Sequence, residues 1–158
     1  MKISNSMWIT AVAVAILGSA LVSSGCHTMG RKEVAQAAPA TLLDTHWRLT
    51  QVGEVVVPNP SGSREVYFSL QSQNPNVVGF SGCNRMFGHY VLAGEQLKFD
   101  QMGGTRMFCD VRMELEQRFL AMFEYVAGWK ISGNTLRLLN SDGGTVAGFE
   151  ASSDTTFP

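Results

Sequence analysis

Two short segments hold most of the residues in this chain that could do chemistry. The first is Gly82-Cys83-Asn84-Arg85-Met86-Phe87-Gly88-His89-Tyr90 and the second is Thr105-Arg106-Met107-Phe108-Cys109. Of the 3 cysteines in the sequence, two lie here and the third is Cys26. Thiols can attack, ligate a metal or pair. A redox-active pair works through a stabilised thiolate, and Cys83 and Cys109 lack the Cys-x-x-Cys spacing that favours one. With Cys26 set apart for the lipid attachment argued below, an even pair remains, and in an oxidising compartment such a pair is expected to bridge. The enclosed loop of roughly 26 residues would then contribute about 3 kcal/mol by restricting the unfolded chain. Free structural thiols are the remaining alternative.

The same stretch carries methionine and histidine. Met86, Met102, Met107 and Met113 with His89 offer thioethers and an imidazole, a set that suits Cu(I). Methionine is equally a flexible core filler, and no compact repeated spacing marks these as ligands, so no metal and no other cofactor is assigned. Glu114 and Glu116 stand two apart on an expected helix and diverge by about 200 degrees, so they do not form a carboxylate pair. Asp142 precedes Gly143-Gly144 and suits a turn. No Gly-x-Ser-x-Gly elbow and no phosphate-binding glycine loop is present. No catalytic residue emerges, and the expectation is a domain that binds and does not catalyse.

Charge removes another class. The 158 residues carry 12 Lys and Arg against 13 Asp and Glu, a formal net charge of -1. Nucleic-acid binding needs clustered cations to displace counterions, and no basic run exists here. The amino terminus behaves differently from the rest. Lys2 precedes an almost wholly apolar run over 7–17 and small residues up to Gly25, the pattern of a signal peptide over 1–25. A transmembrane helix needs about 20 apolar residues, and this run is shorter and interrupted. Ser23-Ser24-Gly25 before Cys26 resembles the lipobox of bacterial lipoproteins, although Ser23 stands where Leu or Val is usual. The resemblance implies a diacylated Cys26 at the mature amino terminus. With His27 after it rather than aspartate, it also implies a lipid-anchored place in the cell envelope, at the outer membrane facing the periplasm. Several acyl chains at about 0.8 kcal/mol per buried methylene would make the attachment lasting.

Residues 26–41 show no apolar periodicity and read as the lipidated cysteine and a flexible tether. From 42 to 158 the pattern is one domain of short strands, expected near 47–52, 54–57, 65–70, 77–80, 87–92 and 96–99, with turn chemistry at 58–62 and 73–76. Residues 90–99 can be laid on 129–138 without a gap. Tyr90 meets Trp129, Leu92 meets Ile131, Leu97 meets Leu136 and Phe99 meets Leu138, all at period two, with Gly94 and Gly133 at the reversal. Each copy reads as a hairpin, and 145–150 supplies a return strand. Between the copies one helix is expected over 111–126, with Leu115, Phe119, Met122 and Val126 on one stripe and Glu114 paired to Arg118. Asp110 is the expected N-cap, Gly128 the expected stop, and His46 a surface residue at a strand end. The fold class is mainly β with one packed helix: a small antiparallel barrel-like or strongly curved sheet from two related halves.

A Gly-Cys-Asn turn leading into a strand, answered by Thr-x-Met-x-Cys, resembles the META domain, the HslJ-like family of bacterial envelope proteins. The resemblance covers about residues 42–150. It rests on Trp47, Gly82, Cys83, Asn84, Phe87, Gly88, Tyr90, Thr105, Met107 and Cys109, for all of which it implies structural roles, with Trp47, Phe87, Gly88 and Tyr90 at apolar or half-buried positions. It implies no catalysed reaction. The expected function is a non-enzymatic envelope lipoprotein that supports heat or novobiocin-type tolerance by contact with an envelope protein or small ligand. The expected contact surface is a sheet face or the loops 58–62 and 71–76. The alternative is a carrier of a small apolar molecule in a hollow β interior.

Overall fold

The computed structural model describes residues 39–58 and 64–152. The leader, Cys26, the tether up to residue 38 and most of the 58–62 loop lie outside the described residues. Among the described residues, no helix is long and apolar enough to cross a membrane.

Alternation of apolar and polar residues builds the strands. In β5 (Arg85–Ala93), Met86, Gly88 and Tyr90 point inward while Arg85, Phe87, His89 and Val91 point out. The other strands are β1 (His46–Val52), β2 (Val55–Val56), β3 (Tyr67–Leu70), β4 (Asn76–Phe80), β6 (Gln96–Gly104), β7 (Gly128–Ser132), β8 (Thr135–Leu139) and β9 (Thr145–Ser152). They form one 9-stranded antiparallel sheet in the order β2-β1-β3-β4-β5-β6-β7-β8-β9, and β1 also pairs with β9, so the sheet curls into a ring. The ring is thinnest between β6 and β7, whose ladder is the single pair Gln96↔Gly128.

The two hairpins match in register as well as in sequence. Tyr90 pairs with Phe99 and Leu92 with Leu97, just as Trp129 pairs with Leu138 and Ile131 with Leu136. Both turn on a left-handed glycine, Gly94 at φ 61° and Gly133 at φ 58°. Inside, Trp47, Phe68, Phe119, Phe123 and Phe149 are fully buried. Phe68 meets Phe149 edge-on at 4.9 Å and Phe123 at 5.9 Å between centroids. Side chains from the strands and the helix pack together across the centre of the ring.

The helix is shorter than its periodicity suggests. α1 spans Met113–Met122, with 3-10 turns at Asp110–Arg112 and Phe123–Tyr125 on either side. Phe119, Met122 and Val126 are buried as expected, and Arg118 Nη2 lies 2.9 Å from Glu114 Oε1. Asp110 is not the N-cap. It sits in the 3-10 turn, closed by the Arg112 N–H bonding the Cys109 carbonyl at 3.1 Å, and Arg112 holds the cap position without a side-chain cap. Glu114 and Glu116 in the first turn supply the negative charge that end of the helix favours. Gly128 is not the stop either. The backbone is already extended at Val126 (ψ 127°), and Gly128 opens β7. His46 is buried rather than on the surface. It stacks on Tyr67 at 3.8 Å and its Nε2 lies 3.3 Å from Glu65 Oε2, because the neighbouring strand covers the start of β1.

One close backbone approach makes a sharp test of this packing. A Cβ on Gly79 would overlap the Tyr67 carbonyl oxygen and stand 2.9 Å from the Phe68 Cα, both backbone atoms of β3. Gly79→Ala is therefore expected to cost more than about 3 kcal/mol, because only strand separation can relieve the overlap. Thermal unfolding followed by circular dichroism checks it, and a melting temperature within a degree or two of the parent's would refute the β3–β4 approach.

Candidate functional site

The Gly-Cys-Asn turn is built around a buried carboxylate. Ser81 to Asn84 closes through the Ser81 N–H and the Asn84 carbonyl at 2.9 Å, with Gly82 at φ 114°, a region that disfavours any side chain. The turn aims its donors at Glu116 of α1. Glu116 Oε2 accepts from the Ser81 hydroxyl at 2.8 Å, the Asn84 N–H at 3.1 Å and the Cys83 N–H at 3.2 Å, and Oε1 accepts from Asn84 Nδ2 at 2.8 Å. Burial by itself raises the Glu116 carboxyl. The hydrogen bonds from the Asn84 and Ser81 side chains and the Asn84 and Cys83 amides outweigh it, so its pKa lies below the ordinary carboxylate value.

Asn84 then clasps the second motif. Its Oδ1 accepts from the Thr105 hydroxyl at 2.8 Å and the Met107 N–H at 2.7 Å, while Nδ2 also donates to the Met107 carbonyl at 3.0 Å. Both donor hydrogens and both acceptor directions of the amide are thus in use. A disulfide between Cys83 and Cys109, with Cα atoms 5.8 Å apart, ties the same two segments covalently. Arg112 Nη1 adds bonds to the Gly82 and Arg64 carbonyls.

The clasped loop forms one wall of an open groove of about 770 Å³. β6 supplies a second side, and α1 through Met113 and Leu120, with the 3-10 turn after it through Glu124, supplies the third. Met86, Met102, Met107 and Met113 all line it, so of the methionines among the described residues only Met122 lies elsewhere. Phe108, 80% exposed, stands at the rim. β6 itself is bulged here. Gln101 and Met102 together oppose Gly88, with Gln101 at φ 51°. A Cβ on Gly88 would overlap Met102 Sδ and crowd the Asp100 carbonyl at 3.2 Å, so the bulge explains this motif glycine.

The remaining motif residues divide. Trp47 is fully buried and its Nε1 donates to the Leu42 carbonyl at 3.0 Å; the Tyr90 hydroxyl donates to the Gln71 carbonyl at 3.0 Å. Phe87 is not half-buried: it points outward, 55% exposed, with its ring over Gly103. Thr105 and Met107 are exposed as well, and Met107 serves the clasp through its backbone while its side chain faces the groove. His89 faces outward from β5 and does not line the groove, so the methionines and this histidine are not brought together. The 71–76 loop is held to the body through Tyr90 N–H to the Pro75 carbonyl (2.9 Å) and Ser72 N–H to Asp44 Oδ1 (2.9 Å).

Glu116 is the residue that sequence reasoning missed. The signal was its place three residues before Phe119 and four before Leu120. A charge at that spacing falls on the covered side of an amphipathic helix and asks for a buried partner.

The META domain family model matches residues 40–153. Among solved structures, the NMR structure of a protein from Burkholderia xenovorans is 29% identical with a TM-score of 0.56, covering 71% of this chain and 84% of that one. A second NMR structure is 22% identical with a TM-score of 0.55, covering 70% of this chain and 91% of that one, and is a likeness of fold alone. No curated protein matches this chain.

Proposed function

The chain belongs to the META domain family, and from that premise we propose that it is a non-enzymatic, lipid-anchored domain of the bacterial envelope that binds another envelope component through the β6–α1 groove. The observation that carries this reading is the groove's construction: about 770 Å³ of open space is lined by methionines, Phe99, Phe108 and Leu120 interleaved with polar groups, beside a carboxylate whose oxygens already accept four hydrogen bonds. A carboxylate that accepts the Ser81 hydroxyl, two backbone N–H groups and the Asn84 amide, and whose pKa these bonds hold low, is a weak proton acceptor, which supports a structural role for Glu116. Tolerance of heat or of novobiocin-type antibiotics is the physiological role that the family likeness suggests for such a contact.

A photo-reactive amino acid placed at Phe108 in intact cells is expected to capture a defined envelope component, with capture lost in a folded Leu120→Glu protein. A purified protein that turned over a hydrolase or thiol-exchange substrate, with Glu124→Gln, a change at an exposed carboxylate of the groove, abolishing the activity and leaving the melting temperature unchanged, would overturn the reading. The groove volume lies in the range that holds small ligands, which supports a second reading: a carrier of a small apolar molecule in this lateral groove.

Anchoring rests on Cys26. Cys26→Ala is expected to move the protein from the membrane fraction of lysed cells to the soluble fraction. Mass spectrometry of the parent protein that finds an unmodified Cys26 would rule the anchor out.

A further inference from the structure

β6 runs from Gln96 to Gly104 and pairs with β5 along its length, yet on its outer side it meets β7 only at Gln96↔Gly128, with one more backbone bond from the Leu97 N–H to the Ala127 carbonyl at 3.2 Å. From Lys98 to Gly104, no strand among the described residues pairs with that side. An unpaired edge is a template for another strand, and proteins ordinarily close it with a helix or a loop. Here α1 stands across from the edge, and the groove described above lies between them.

We propose that this edge accepts an added strand: an extended peptide segment of an envelope partner, apolar at every second residue and basic at the others. This deepens the binding role proposed above and rests on it. Three features of the groove select that occupant. An added strand rises about 3.3 Å per residue, and the stretch from Lys98 to Gly104 offers the backbone length for a short segment. The methionines and Leu120 offer an adaptable apolar surface for the alternate side chains that point inward. The exposed charges of the lining are Asp100 and Glu124 against Arg106, a surplus of carboxylates that favours cations on the occupant. The bulge at Gln101 breaks the two-residue repeat of the edge, so the added strand pairs in one register instead of sliding.

The test uses the full chain, purified in detergent, and a fluorescent peptide of alternating valine and lysine. Anisotropy is expected to show saturable binding. A peptide alternating valine and glutamate, and a valine–lysine peptide N-methylated on the amides of one edge, are each expected to bind about tenfold weaker or less. Glu124→Lys, an exposed change, is expected to weaken the valine–lysine peptide by a similar factor, and amide shifts in NMR should concentrate on residues 98–104. Equal binding of the N-methylated peptide, shifts confined to another face, or no saturable binding overturns strand addition. If none of the peptides binds while the cell cross-link at Phe108 persists, strand addition fails and the binding role stands; if both are absent, both fail.

Discussion

Glu116→Ala is expected to lower the stability of the domain by about 3 to 5 kcal/mol, because it leaves several buried neutral donors without an acceptor at about 1 to 3 kcal/mol each. Four donors converge on this carboxylate, from Ser81, Cys83 and Asn84, and none has an alternative acceptor of equal charge in the turn. A domain of this size has about 5 to 15 kcal/mol in total, so the variant is expected to unfold near physiological temperature. Glu116→Gln keeps the volume but turns an NH2 group toward donors, and about 2 kcal/mol is the expected loss.

The sign of the pH dependence follows from the depressed pKa. A carboxyl whose folded pKa lies below its unfolded value binds its proton more readily in the unfolded chain. Its contribution is fully present above the unfolded value of about 4.3 and is lost as pH falls through the lower folded value. Denaturant unfolding of the parent and of Glu116→Gln should therefore converge as pH drops below about 4. A Gln variant within 0.5 kcal/mol of the parent at neutral pH, a bound set by the usual scatter of surface substitutions at about that size, would show that the clasp contributes little.

Breaking the Cys83–Cys109 bridge is the second large effect. Reduction, or Cys83→Ser with Cys109→Ser, is expected to remove about 3 kcal/mol through the freedom returned to the unfolded loop. The consequence is local as well as global. The bridge and the Asn84 clasp hold the same loop, so amide exchange should accelerate first over residues 105–112, and the effects of Asn84→Ala and bridge removal should be less than additive. Both thiols reacting with an alkylating agent in the folded, unreduced protein would mean that the bridge does not form.

Much of the architecture was legible because it is periodic or local. Period-two alternation placed Tyr90, Leu92, Leu97 and Phe99 on one face, and the matching positions around Gly133 repeated it; the structure pairs them in the same register. Glycine at Gly94 and Gly133 marked reversals because a left-handed residue costs it nothing extra. The stripe of Phe119, Met122 and Val126 located the helix, although its ends moved, since the 3-10 turns at both ends depend on what the flanking chain is bonded to. The pairing of Cys83 with Cys109 was expected from parity, an expected oxidising compartment and the two motifs that hold these residues.

Only the tertiary structure decided what those elements do together. In the sequence Glu116 was only a helix carboxylate too far round from Glu114 to pair with it; that the turn 32 residues earlier supplies its partners is a contact between distant segments. Phe87 alternates with buried neighbours, yet the face it occupies depends on the sense in which the sheet curls, which is a property of the closed ring. The groove is less legible still. It exists because β6 outruns its single pairing with β7 and α1 stands across from the exposed edge, and no residue in either segment records the length of the other. Sequence by itself determined the faces, the turns and the cysteine pair, each set by residues a few positions apart or by composition; the carboxylate clasp and the open edge came from contacts between distant segments, where long-range packing and not local propensity carries the information.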